Sequence, residues 1–196
     1  MILGAALVLS GCFDLGRAVP DLSHGGAETR TFADPGGLRV VGPQGYCVDG
    51  DNTQTANGAG FVLLGGCDVL ANARRGPKHY AILSATYAPA DGATSVGDYA
   101  AFFGTLQGLA LLSRTNDPAT VTVLENTVER GVLYLHVRDT SPNEGARLAN
   151  EHWRAALLVG GYGVMLSVHA TASAPIALRD GRGKIGDFVR AVQRAN

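Results

Sequence analysis

Apolar and polar positions alternate through residues 151–159 and again through residues 162–170, with Gly160-Gly161 between them. That pattern predicts two half-buried strands joined by a tight hairpin turn. Its register can be tested against its own consequences. Setting Val159 opposite Tyr162 puts Leu157 opposite Val164, Ala155 opposite Leu166 and Trp153 opposite Val168, so all eight share one face. A slip of one residue would send them to opposite sides of the sheet. The same register sets His152 opposite His169 and Arg154 opposite Ser167 on the other face. An earlier hairpin is predicted over residues 120–128 and 132–139, where Gly131 in Glu129-Arg130-Gly131 can take the positive φ of a turn. Pairing Leu124 with Val137 there makes Glu125 face His136.

Between residues 96 and 113 the period becomes helical. Val96, Tyr99, Ala100, Phe103, Leu106 and Ala110 fall on one face, and Ser95 stands three residues before Asp98 in the arrangement of a capping box. A last helix is predicted over residues 180–194, carrying Ile185, Phe188, Val189 and Val192 to the core, with Gly181, Gly183 and Gly186 weakening its start. Short strands are expected at residues 38–41, 46–48 and 61–64, a polar loop at 49–60, and a longer strand at 78–88. The order of elements predicts an α+β domain, a mainly antiparallel sheet of about six or seven strands covered by two principal helices.

Composition narrows the function classes. The chain has 196 residues, 46% of them hydrophobic, enough for one core, assigned to residues 38–196. A net charge of -1 with 17% charged residues supplies no long-range field for polyanions, so nucleic acid is not an expected partner. The 27 glycines have no fixed period and are expected to serve turns.

The segment MILGAALVLSGC at residues 1–12 is apolar but too short to span a bilayer, which takes about 20 residues. Its ending, Leu9-Ser10-Gly11-Cys12, resembles the bacterial lipobox. The resemblance implies a signal peptide over residues 1–11, lipidation of Cys12, and attachment to the bilayer through the acylated sulfur. Residues 12–37, rich in Gly, Pro, Asp, Ser and Thr without a sustained period, read as a tether. With Cys12 so used, Cys47 and Cys67 are an even pair in an oxidising compartment, where a disulfide is the default. A redox pair would want Cys-x-x-Cys, and zinc would want closer spacing or nearby His.

The run Leu38-Arg39-Val40-Val41-Gly42-Pro43-Gln44-Gly45-Tyr46 is similar to the strand-Pro-x-Gly-aromatic opening of the PsbP-like fold, which includes DcrB-type bacterial lipoproteins and a Ran-binding import factor. The strand over 162–170 followed by a helix around Phe188 resembles that family's ending. The resemblance implies a non-catalytic accessory or binding domain, with no catalytic residues to carry over.

Motifs for chemistry are sparse. Gly-x-Ser-x-Gly, His-Glu-x-x-His and the phosphate-binding loop are absent from the sequence. Asp49-Gly50-Asp51-Asn52-Thr53 opens like a calcium loop, but Gln54 stands at the turn position and Gly60 where the bidentate Glu belongs. Asp180-Gly181-Arg182-Gly183-Lys184 is expected to be a loose helix start rather than an anion cup. One constellation remains: His152 and His169 across the second hairpin, joined by His136 and Glu125 if the faces coincide, could ligate a metal. The leading expectation is a non-catalytic, cofactor-free envelope lipoprotein, facing the periplasm, that binds or supports another, unidentified envelope protein. The alternative is a metal-dependent envelope enzyme using those histidines.

Overall fold

A computed structural model describes residues 30–142 and 148–196, so the expected signal peptide and Cys12 lie outside the described residues. The architecture is α+β, as the order of elements predicts. Seven antiparallel strands form the main sheet: β3 (Tyr46–Ala56), β4 (Ala59–Gly66), β5 (Ile82–Pro89), β6 (Val121–Glu129), β7 (Val132–Asp139), β8 (Leu148–Val159) and β9 (Tyr162–Thr171), in the order β3-β4-β5-β9-β8-β7-β6. A two-stranded ribbon, β1 (Thr31–Ala33) and β2 (Arg39–Val41), precedes it.

The pleat divides the core in two. Along β7, Val132 and Tyr134 face one layer, while Leu133, Leu135 and Val137 face the other. Helix α4 (Leu178–Gln193) covers the first face, burying Ile185, Phe188, Val189 and Val192 against Trp153, Ala155, Leu157 and Leu166. The second face, over β6, β7 and β8, is covered by α2 (Val96–Phe102) and α3 (Leu106–Leu112) through Phe103 and Leu112. A single turn, α1 (Cys67–Leu70), follows β4.

The second hairpin has the predicted register, from Val159 opposite Tyr162 to His152 opposite His169. Its turn glycines, Gly160 and Gly161, both have positive φ, 59° and 83°. In the first hairpin Glu125 faces His136 as expected, but Val137 is opposite Val123, not Leu124. A bulge at Leu124 absorbs the extra residue and leaves its side chain 41% exposed.

Other expectations change. The expected tether over 12–37 gives way to folded chain before Leu38, because Thr31 to Ala33 pair with β2. Buried Asp34 then accepts hydrogen bonds from the hydroxyls of Tyr87 (2.7 Å) and Tyr162 (3.3 Å) and from the Gly36 amide (2.7 Å), tying the ribbon to the sheet. The polar loop expected at 49–60 is mostly strand: β3 and β4 meet at Asn57-Gly58, both in the left-handed region. The strand expected over 78–88 starts only at Ile82.

The helix expected over 96–113 is two helices. Ser95 and Asp98 form the predicted capping box, but Thr105 caps a new helix by accepting from the Gly108 amide at 3.1 Å. A Cβ on Gly108 would lie 2.1 Å from the Phe102 carbonyl oxygen, so the tight crossing needs glycine. In α4, Gly181 likewise has a physical use: a Cβ there would meet the Trp153 indole at 2.6 Å. The run expected as a loose helix start is continuous helix that approaches the sheet closely at that point.

Candidate functional site

Strand register decides the histidine constellation. His136 pairs with Trp153, so it shares the α4 face, where the two rings stack with centroids 4.6 Å apart. Its Nε2 lies 3.2 Å from Glu151, whose other oxygen takes both Nε and Nη2 of Arg138. Glu125, on the same face, turns to Arg182 at 3.6 Å. His152 immediately precedes Trp153 and therefore points through to the opposite face. The four expected ligands His152, His169, His136 and Glu125 thus separate into two pairs on opposite sides of the sheet. Among the described residues, no three of His, Cys, Asp and Glu converge as a metal site.

The His152 and His169 rings stack with centroids 4.4 Å apart beneath α3, in a buried polar layer. Arg154 Nε donates to His152 Nε2 at 3.2 Å, which leaves that imidazole's proton on Nδ1. The Nδ1 atoms of both histidines are buried without a hydrogen-bond partner among the described residues. Next to them, buried Asp139 accepts from the backbone amides of Arg114 (2.8 Å) and Ser141 (2.9 Å). Arg114 Nη2 returns hydrogen bonds to the carbonyls of Asp139 and Ser141, each at 2.9 Å.

Burial, then the neighbouring His169 and the charges of Arg154 and Arg114, press the His152 pKa far below its ordinary value. Burial and the same two arginines bring His169 down to about 4. Arg154 falls to about 10, chiefly through burial. Asp139 is held below the usual carboxylate range: the hydrogen bonds from Ser141 and Arg114 and the Arg114 charge outweigh its desolvation. At neutral pH the layer is two neutral imidazoles, the Arg114–Asp139 ion pair and the further positive charge of Arg154, which His152 meets as a neutral acceptor.

A second region has the opposite character. A cleft of about 1560 Å³ opens between the β2–β3 turn, residues 71–81 and one flank of α4. The disulfide between Cys47 and Cys67, with Cα atoms 4.9 Å apart, pins the start of β3 to the first residue of α1, just past β4, and so builds one wall. Around it, the Cys67 amide donates to the Gly45 carbonyl at 2.9 Å, and the Tyr46 hydroxyl donates to the His79 carbonyl at 2.7 Å. Gly45, with φ 86°, passes so close to Pro77 that a Cβ would sit 2.8 Å from its Cα.

The cleft is strongly basic. Arg74, Arg75 and Lys78 project from the loop, Arg179, Lys184 and Arg194 from the α4 side, and Arg30 stands where the described chain enters. Among the described residues only Asp180 and Asp187 oppose them, and Asp187 pairs with Arg190 outside the cleft. Asp180 is 3.9 Å from His79. Lys184 lies over the Tyr46 ring at 4.9 Å, and its pKa is lowered mainly by burial. Such a surface can hold an anion by charge and by the forked donors of arginine.

Sequence reading passed over this cleft because a net charge near zero conceals local clustering. The signal was present in Arg74-Arg75-Gly76-Pro77-Lys78-His79, four basic or imidazole side chains in six residues. Compared with protein-family models and with curated proteins, the chain matches none.

Proposed function

We propose that this chain is an exported, lipid-anchored accessory protein of the bacterial envelope that binds another envelope component through the basic cleft and catalyses no reaction of its own. The observation that carries the reading is the Cys47–Cys67 disulfide. It uses two of the three cysteines in a bond that oxidising compartments favour, and leaves Cys12, behind Leu9-Ser10-Gly11, as the remaining cysteine. The disulfide also forms a wall of the cleft, so the same chemistry that fits export shapes the binding surface.

The likeness of residues 38–46 to the opening of the PsbP-like fold favours the same kind of role. A metal enzyme built on His152, His169, His136 and Glu125 is not favoured, since the sheet separates the two pairs. Intact-mass measurement of the protein extracted from membranes tests the proposal. The expected product lacks residues 1–11, carries a diacylglyceryl group on Cys12 and has no titratable thiol. Unmodified Met1 with three free thiols would overturn it.

A further inference from the structure

Among the described residues the cleft is lined by seven Lys and Arg and two Asp and Glu, a net +5, while the other described residues hold seven Lys and Arg and eleven Asp and Glu, a net -4. Charge over the described residues is therefore uneven, with the positive excess at the cleft. The side chains of Arg74, Arg75, Lys78, Arg179 and Arg194 are exposed and make no hydrogen bond or ion pair among the described residues. The Nε of Arg30 is buried without a partner there, while its Nη2 reaches the Gly42 carbonyl at 3.1 Å.

Position adds a second argument. Arg30 and Thr31, the first described residues, line this same cleft. The segment leading back to Cys12 therefore joins the domain at its positive end. Seventeen residues lie between Cys12 and Arg30, a connection that cannot exceed roughly 65 Å even fully extended. An anchor at Cys12 keeps the cleft within that distance of the bilayer. A negatively charged surface attracts the cleft and repels the remainder of the domain. The cleft is also larger than the roughly 300–1,000 Å³ usual for a single small ligand and open enough to meet several headgroups at once.

We infer that the basic cleft is the face this domain turns to its membrane, where its arginine and lysine groups hold the phosphates of anionic lipid headgroups. The inference rests on the anchored reading proposed above. The acyl group holds the protein to lipid, and the cleft sets its orientation there.

The test uses the full chain with vesicles of phosphatidylcholine alone or mixed with phosphatidylglycerol, read by flotation and by backbone hydrogen exchange over residues 42–46 and 71–81. Anionic vesicles are expected to slow exchange in both segments, and neutral vesicles to leave it unchanged. R74Q/R75Q should weaken the anionic response roughly tenfold or more. R39Q/R138Q, which removes the same charge from exposed positions outside the cleft, should preserve it.

Equal exchange in the two kinds of vesicle, or an unchanged response in R74Q/R75Q, would overturn the inference. Inorganic phosphate or glycerophosphoglycerol protecting the cleft while vesicles do not would reassign it to a soluble anion. Polyglutamate alone protecting it would reassign it to an acidic protein segment. The mass at Cys12 reports separately on the anchor: an unacylated chain whose cleft still selects anionic vesicles removes the anchor and keeps the cleft, and an acylated chain with an indifferent cleft does the reverse.

Discussion

The layer beneath α3 and the cleft beside α4 use similar side chains to opposite ends. Under α3, Arg114 and Arg154 are largely withdrawn from water and each is met by fixed acceptors: the Asp139 carboxylate and backbone carbonyls for one, the neutral His152 imidazole and the Leu111 and Leu112 carbonyls for the other. In the cleft, Arg74 and Arg75 stand in solvent with no such acceptor. Burial makes a charge costly unless it is compensated, so compensated charges become part of the structure. Exposed, uncompensated charges add little to stability and remain available to a ligand. The comparison teaches that function here is to be sought where the cations lack partners.

The sharpest way to break the comparison is inside the buried layer. Asp139→Ala removes the carboxylate facing Arg114 and should cost about 3–5 kcal/mol in urea denaturation, because a buried guanidinium is left without its counter-charge. A loss below about 1 kcal/mol would show that the layer does not hold the fold. Replacing Cys47 and Cys67 together by Ala should cost roughly 3 kcal/mol in the same measurement, from the loop closure that the bond supplies. Unlike Asp139→Ala, that change should also speed hydrogen exchange over residues 71–81, since the bond builds the cleft wall.

Acid should reach the buried layer before it reaches the carboxylates. The folded-state pKa values of His152 and His169 lie below the ordinary 6.5, so between that value and about 4 the unfolded chain binds more protons than the folded one. Stability should therefore fall as pH drops through this window, by on the order of 3 kcal/mol from His169 alone and further through His152. The lowered Asp139 and Glu151 add a further loss only below about pH 4. His169→Gln should flatten the upper part of the profile; an unaltered profile would contradict the assignment. The smallest effect belongs to the cleft: R74Q/R75Q should unfold within about 0.5 kcal/mol of the parent, because neither side chain has a partner to lose.

Much of the sheet was legible because alternation is self-checking. The register from Val159–Tyr162 to His152–His169 follows from keeping eight apolar residues on one face. The break between α2 and α3 was less legible, since Leu106 and Ala110 continue the helical period across it and only Thr105, as a cap, marks the interruption. The bulge at Leu124 shifts one neighbour without changing the Glu125–His136 pairing, which is why part of that register was right. Of the candidate site, Cys47 and Cys67 could be paired by counting. The histidine grouping could not be judged until β7 was placed against β8. The cleft depends on Arg74, Arg179 and Arg194, brought together from distant parts of the chain by packing that no periodicity reports.

The most direct test of the central claim is the salt dependence of cleft protection when the unaltered full chain sits on vesicles. An interaction carried by several uncompensated cations is screened over about 8 Å at physiological ionic strength. An acyl anchor would hold the chain to either kind of vesicle, so the readout is exchange protection over residues 42–46 and 71–81. It should be greater with phosphatidylglycerol than with neutral vesicles at low salt, and that excess should fall steeply as salt rises. No excess at low salt, or an excess insensitive to salt, would contradict the claim that the open cations are the binding surface.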